Sequence, residues 1–167
     1  MPDRRVPATP LSANDAAQGE PMLSRRTLQG ETGGGTECER EYIYVMYETS
    51  SGDVAAVPGV VCTFKPGRYG VVTGDVSSGN GLQPAGVVCH TLSDGHYGWI
   101  QRSGYCPQVN TDDGVDTAGV MLIVHETSDG IADGSATADS ATSVAARIGW
   151  AVEADANSSC PAVLTLP

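Results

Sequence analysis

From Tyr42 onward, short apolar runs alternate with turn-forming clusters at close spacing, and this pattern predicts strands rather than helices. Tyr42-Ile43-Tyr44-Val45-Met46-Tyr47 is rich in aromatic and β-branched residues, the composition that suits a pleated surface. Val54 to Thr63 is a second run, broken at Pro58-Gly59, as in an edge strand or a bulge. Lys65-Pro66-Gly67 predicts a turn, Tyr69 to Thr73 a short strand, and Asp75 to Gly81 a glycine-serine loop. Ala85 to Leu92 and Tyr97 to Arg102 flank Ser93-Asp94-Gly95-His96, and the Asp-Gly pair marks a hairpin. A loop is expected from Ser103 to Thr117. Gly119 to Glu126 is apolar on both faces over its first part, which predicts a central strand. Ala146 to Ala154 and Ala162 to Leu166 supply the last two strands, joined by Asp155 to Pro161. Ala138 to Ala146 has room for one or two helical turns, capped by Asp139 or Ser140. The expected fold is all-β: a compact barrel or sandwich of seven to nine short strands with an extended N-terminal arm.

The arm is residues 1–40 and the β-domain residues 41–167. Pro2, Pro7, Pro10 and Pro21 are followed by Gly33-Gly34-Gly35, and apolar residues there hold no lasting period. That composition predicts an extended, flexible segment, with room for a short helix over Met22 to Gln29. Fully extended, the arm would reach about 120 Å.

Charge sharpens the division. Residues 1–40 hold five arginines and six acids, whereas residues 41–167 hold four basic residues and fourteen acids. So acidic a domain repels phosphate and anionic lipid, so neither nucleic acid nor a membrane surface is an expected partner. High solubility is the ordinary meaning of the acid excess. Arg4-Arg5 and Arg25-Arg26 are the only concentrated positive charge. Glycine contributes 21 residues, and a single Phe stands among mostly aliphatic apolar residues, which suits a modest core. Met1 to Ala17 carries arginines without an apolar run behind them, so synthesis and retention in a cytosol are expected.

Five cysteines, at 38, 62, 89, 106 and 160, lie far apart with no CxxC pair. A zinc ribbon or thioredoxin-type site is therefore not expected, and the thiols read as small buried apolar groups, with a disulfide formed after release of a particle as the alternative. No GxSxG, GxxxxGK[ST] or HExxH pattern occurs. His90 and His96 lie on opposite arms of the hairpin, and a metal site there would need a further ligand such as Asp94 or His125. A turn role for His96 and packing for the others are the simpler readings. Cys89 and His90 are adjacent in a strand and point to opposite faces, so they cannot pair; pairing Cys106 with His96 depends on loop geometry. Asp112-Asp113-Gly114-Val115-Asp116 lacks the spacing and terminal Glu of an EF-hand and reads as a solvated acidic turn. Trp99 and Trp150 each follow a glycine inside an apolar run, which favours a core or interface role over sugar stacking. No catalytic residue, cofactor or metal is expected.

Two segments flanking Ala118-Gly119-Val120-Met121-Leu122-Ile123 carry a resemblance. Tyr97-Gly98-Trp99-Ile100-Gln101 with Ser103-Gly104, and Ala146-Arg147-Ile148-Gly149-Trp150-Ala151-Val152-Glu153-Ala154, in this order, resemble the capsid decoration, or cement, proteins of tailed phages. The likeness covers residues 60–167. It implies a structural protein, not an enzyme, on the outer surface of a virion. Its partners would be the major capsid protein and further copies of the chain, as a homotrimer. Arg4, Arg5, Arg25 and Arg26 of the arm, with Tyr42, Tyr44 and Tyr47 of an edge strand, are then the expected capsid or subunit contacts. A surface carbohydrate-binding module is the alternative.

Overall fold

The computed structural model describes residues 14–31, 37–49, 54–76, 83–112, 114–135 and 146–166. Among them there is no helix, and ten strands form one mixed sheet. They are β1 (Arg25–Glu31), β2 (Glu37–Tyr47), β3 (Val61–Phe64), β4 (Val71–Thr73), β5 (Pro84–Val88), β6 (Tyr97–Asn110), β7 (Met121–Val124), β8 (Ala132–Ser135), β9 (Arg147–Ala151) and β10 (Ser159–Thr165). The all-β expectation holds, with ten strands in place of seven to nine. The expected helical turns at 138–145 lie outside the described residues.

Hydrogen bonding runs in a circuit. β2 pairs with β4, β4 with β3, β3 with β5, β5 with β6, and β6 returns to β2. All five strands feed one apolar cluster: Ile43, Val45 and Tyr47 from β2, Cys62, Val72, Ala85, Val88 and Ile100 from the others. Each fully buried aliphatic side chain contributes roughly 1.5–3 kcal/mol. The hairpin turn is where Asp94-Gly95 predicts it: the His96 amide bonds the Ser93 carbonyl, and Val88 pairs with Ile100.

β6 is long enough to belong to two arrangements. Its first half faces β2 and β5; its second half, from Ser103 to Asn110, pairs with β10, which continues the sheet through β9 and β7 to β8. The expected loop from Ser103 is therefore strand as far as Asn110, because β10 supplies its hydrogen-bond partners. Gly104 sits at the junction with φ +84°, and a Cβ there would lie 2.2 Å from the Glu39 carbonyl oxygen. Only glycine fits that backbone and that approach. A second cluster, including Val109, Leu122, Val124, Ile148 and Leu164, lies under this extension.

β1 occupies the stretch where a short helix had room. Arg25 and Thr27 are exposed while Arg26 and Leu28 are half-buried, a period of two that fits a strand, and the seven residues run antiparallel to β2. Residue 40, where the sequence divides arm from domain, lies within β2. Residues ahead of β1 also follow the sheet: Asp15 and Tyr97 exchange backbone hydrogen bonds at 2.9 and 2.8 Å, and Leu23 and Ser24 bond the backbone of Tyr44. β2 is thus not an edge strand. It lies between β1 and β4, which share one of its hydrogen-bonding sides, and β6 on the other.

Candidate functional site

The residues expected at an interface separate into three groups. Arg4 and Arg5 lie outside the described residues. Arg25 is exposed on β1 and pairs with Glu41 at 3.0 Å. Arg26 pairs with Glu20 and places its guanidinium carbon 4.6 Å from the centre of the Trp99 ring, so it is engaged within the chain. Tyr42, Tyr44 and Tyr47 are 5%, 1% and 0% exposed. Tyr47 bonds the Val54 carbonyl at 2.7 Å, and the Tyr44 hydroxyl accepts from the Gly19 amide at 3.1 Å. Tyr42 and Tyr44 pack with Trp99 and with Leu28 of β1. Leu28 of β1 packs on the Tyr42–Tyr44–Trp99 cluster, and Tyr47 lies in the cluster that β2 to β6 enclose, so within this chain none of the three rings is open.

Exposed large apolar side chains lie elsewhere: Tyr69 at 75%, Val57, and three near one another on and after β9 and on β10. In the ladder, Tyr105 of β6 stands opposite Val163 of β10, and Val163 opposite Trp150 of β9. Directly paired residues share a face, so the three side chains form one row. Val163 is 41% and Trp150 40% exposed, and Val152 beyond the end of β9 is exposed too. Cys160, Ala162 and Leu164, alternating with these on β10, are buried on the opposite face. The row carries no charge, in a chain of net charge −11. Arg40 borders it, its guanidinium carbon 5.7 Å from the Tyr105 ring centre.

Three potential metal ligands converge from separate loops and β8: Asp112, His125 and Asp133 each have a ligand atom within 4.8 Å of the others. None of the sequence patterns joined them, because the fold alone brings the ends of β6, β7 and β8 together. His125 Nδ1 accepts the backbone N–H groups of Thr127 at 3.1 Å and Ser128 at 2.9 Å. The proton of the neutral ring therefore sits on Nε2, which faces Asp112 Oδ2 at 3.5 Å. A metal at Nε2 would require that proton to move to Nδ1, against two donors. His125, with Asp112 behind it, clips the turn after β7. Burial and the neighbouring Asp112 charge push the Asp133 carboxyl above its usual range. His96, as expected of a turn residue, has Nδ1 3.0 Å from the Asp94 carbonyl oxygen. His90 and His96 do not join this cluster.

A cavity of about 250 Å³ opens where the two halves of β6 meet, lined by Arg40, Tyr42, Cys89, Gln101 and Cys106, with exposed Pro107 and Gln108 at its mouth. Cys89 follows β5 directly, its Sγ 3.6 Å from the Val87 carbonyl oxygen, and shares the cavity with Cys106. Cys89 also lies 3.6 Å from Gln101 Oε1. The Gln101 amide nitrogen donates to the carbonyls of Ser103 and Tyr105, at 3.0 Å each, and so holds the strand curved around the pair. The neighbouring Cys89 thiol draws the Cys106 thiol below its ordinary range, opposed by burial and assisted by the backbone at Gln108 and the Arg40 charge. The neighbouring Cys106, with burial, raises Cys89 well above its own. As a thiol, Cys106 can donate to the Gln108 carbonyl, 3.1 Å away. Burial alone pushes Cys62 up, and it pushes Cys160 up to about 11 with the charge of Asp155 adding to it.

No helix among the described residues is long and apolar enough to cross a membrane. No family model matches the chain, and no curated protein matches it.

Proposed function

We propose that the chain is a structural protein of a bacteriophage virion, which binds the outer surface of the capsid and cements neighbouring capsomers without catalysis of its own. The observation that carries this reading is the uncharged row of half-buried Tyr105 with exposed Val163 and Trp150 on paired strands. Aromatic and β-branched side chains exposed together mark a contact surface, and a side chain held on a paired strand gives up little entropy on docking. The acidic remainder of the surface keeps free protein apart and soluble. In this reading the partners are the major capsid protein and further copies of the chain, as a trimer at a threefold position. The row supplies the contact expected of Tyr42, Tyr44 and Tyr47, and the exposed Arg25, with Arg4 and Arg5, supplies the positive charge. The test is co-sedimentation with particles assembled from the capsid protein of the phage that encodes the chain, comparing the full chain with Trp150→Glu.

One observation favours the carbohydrate-binding reading instead: an exposed indole is also a stacking platform for a sugar ring, and Trp150 offers one. Titration with glycans separates the two. A fluorescence change lost in Trp150→Phe, with no binding to particles, selects the carbohydrate module.

A further inference from the structure

We propose that Cys89 and Cys106 are an oxidisable dithiol, which peroxide converts into a disulfide joining the end of β5 to the second half of β6. The geometry has three parts. Two free thiols line one cavity of about 250 Å³, each shifting the other's titration. A cation, Arg40, lines the same cavity, and a positive charge favours thiolate. Exposed residues at its mouth admit a small oxidant. Cys62 is fully buried and has no comparable partner thiol among the described residues.

The chemistry is a two-step, two-electron oxidation. The Cys106 thiolate attacks one peroxide oxygen; an S–O bond forms, the O–O bond breaks and hydroxide leaves, taking up a proton as water. The product is a sulfenic acid on Cys106. Cys89 sulfur then attacks the Cys106 sulfur. The S–S bond forms, the S–O bond breaks, and the hydroxyl leaves with the Cys89 proton as a second water. The two sulfurs together lose two electrons and one peroxide gains them. Cys106 is the attacking sulfur because the neighbouring Cys89 thiol and the Arg40 charge hold its thiol below the ordinary range, and Cys89 lines the same cavity to resolve it.

The consequence is mechanical. The bond closes the span from Cys89 to Cys106 around the point where β6 passes from the closed circuit into the β10–β9–β7–β8 extension. It ties together the two arrangements that share β6, and loop closure of this size raises Tm by about 6–10 °C.

The experiment treats the full native chain with hydrogen peroxide, then blocks remaining thiols and digests with trypsin. Cys89 and Cys106 fall in separate peptides, Tyr69–Arg102 and Ser103–Arg147, each holding one cysteine. The expected result is those two peptides linked, an intact mass lower by about two hydrogens, a raised Tm, and reversal by dithiothreitol. In Cys89→Ser, and in Cys89→Ala should the serine variant not fold, oxidation stops at a sulfenic acid on Cys106 that dimedone traps. A link between other cysteines, oxygen addition without a link, or retention of both thiols in the folded wild type each overturns the proposal.

Discussion

Trp150 and Val163 face each other across the β9–β10 ladder and are open to solvent to the same degree, 40% and 41%, while their strands' other face is sealed. The pair is therefore not a frayed edge. It is the exposed side of a two-sided sheet segment whose inner side, with Ala162 and Leu164, is fully packed.

The close approach beneath that pair gives the first prediction. A Cβ on Gly149 would lie 2.2 Å from the Val163 carbonyl oxygen and 2.9 Å from the Leu164 Cα. These are backbone atoms in a paired strand, which cannot swing aside. Gly149→Ala should cost about 2–4 kcal/mol, read as a lower urea midpoint with unchanged m-value. An effect under about 0.5 kcal/mol would show that β9 and β10 separate easily, and with them the row.

Removal of residues 1–36 takes away β1, and with it Leu28 and the Arg26 guanidinium that cover Tyr44 and Trp99. The structure predicts that the truncated chain loses on the order of 3 kcal/mol, about 6–12 °C in Tm, and that acrylamide begins to quench Trp99. Trp150→Phe isolates that signal. Unchanged quenching would mean that β1 is dispensable to this cluster.

Asp133 gives a pH signature of definite sign. Its carboxyl keeps a proton to higher pH in the folded chain than in the unfolded one, through burial first and the charge of Asp112 second. In that window the folded state binds more protons, so stability falls as pH rises through it and the penalty persists above. Asp133→Asn should raise Tm at pH 7 and give no gain below the ordinary carboxylate range. The gain should shrink in the background of Asp112→Asn. A gain of equal size at pH 3 and pH 7 would assign the effect to something other than charge.

Much of the architecture is legible in local sequence. Asp94-Gly95 places the β5–β6 hairpin, and Val120 to Val124, apolar on both faces, marks β7 as internal. Tyr42 to Tyr47, expected as an edge strand, is internal, because β1 and β4 pair with one side of it and β6 with the other. β1 is illegible because Arg25-Arg26-Thr27-Leu28 has one apolar residue, and its alternation acquires meaning only against Trp99. β8, Ala132-Asp133-Gly134-Ser135, is a strand because β7 offers a partner, not through its own propensity. The shared cavity of Cys89 and Cys106 and the cluster Asp112–His125–Asp133 join loops and strands distant in sequence. No spacing rule reports them, since each depends on where β6 turns and ends.

The central claim is that the Tyr105–Val163–Trp150 row docks on a capsid, and co-sedimentation of the full chain with capsid particles tests it most directly. Trp150→Glu and Val163→Glu each lose a cross-strand pair, about 1 kcal/mol of stability, so binding is compared at a temperature where circular dichroism shows all three proteins folded. The account predicts saturable binding by the wild type and at least a tenfold loss, about 1.4 kcal/mol, in either variant. Wild-type protein that stays in the supernatant, or variants that sediment with undiminished affinity, would contradict it.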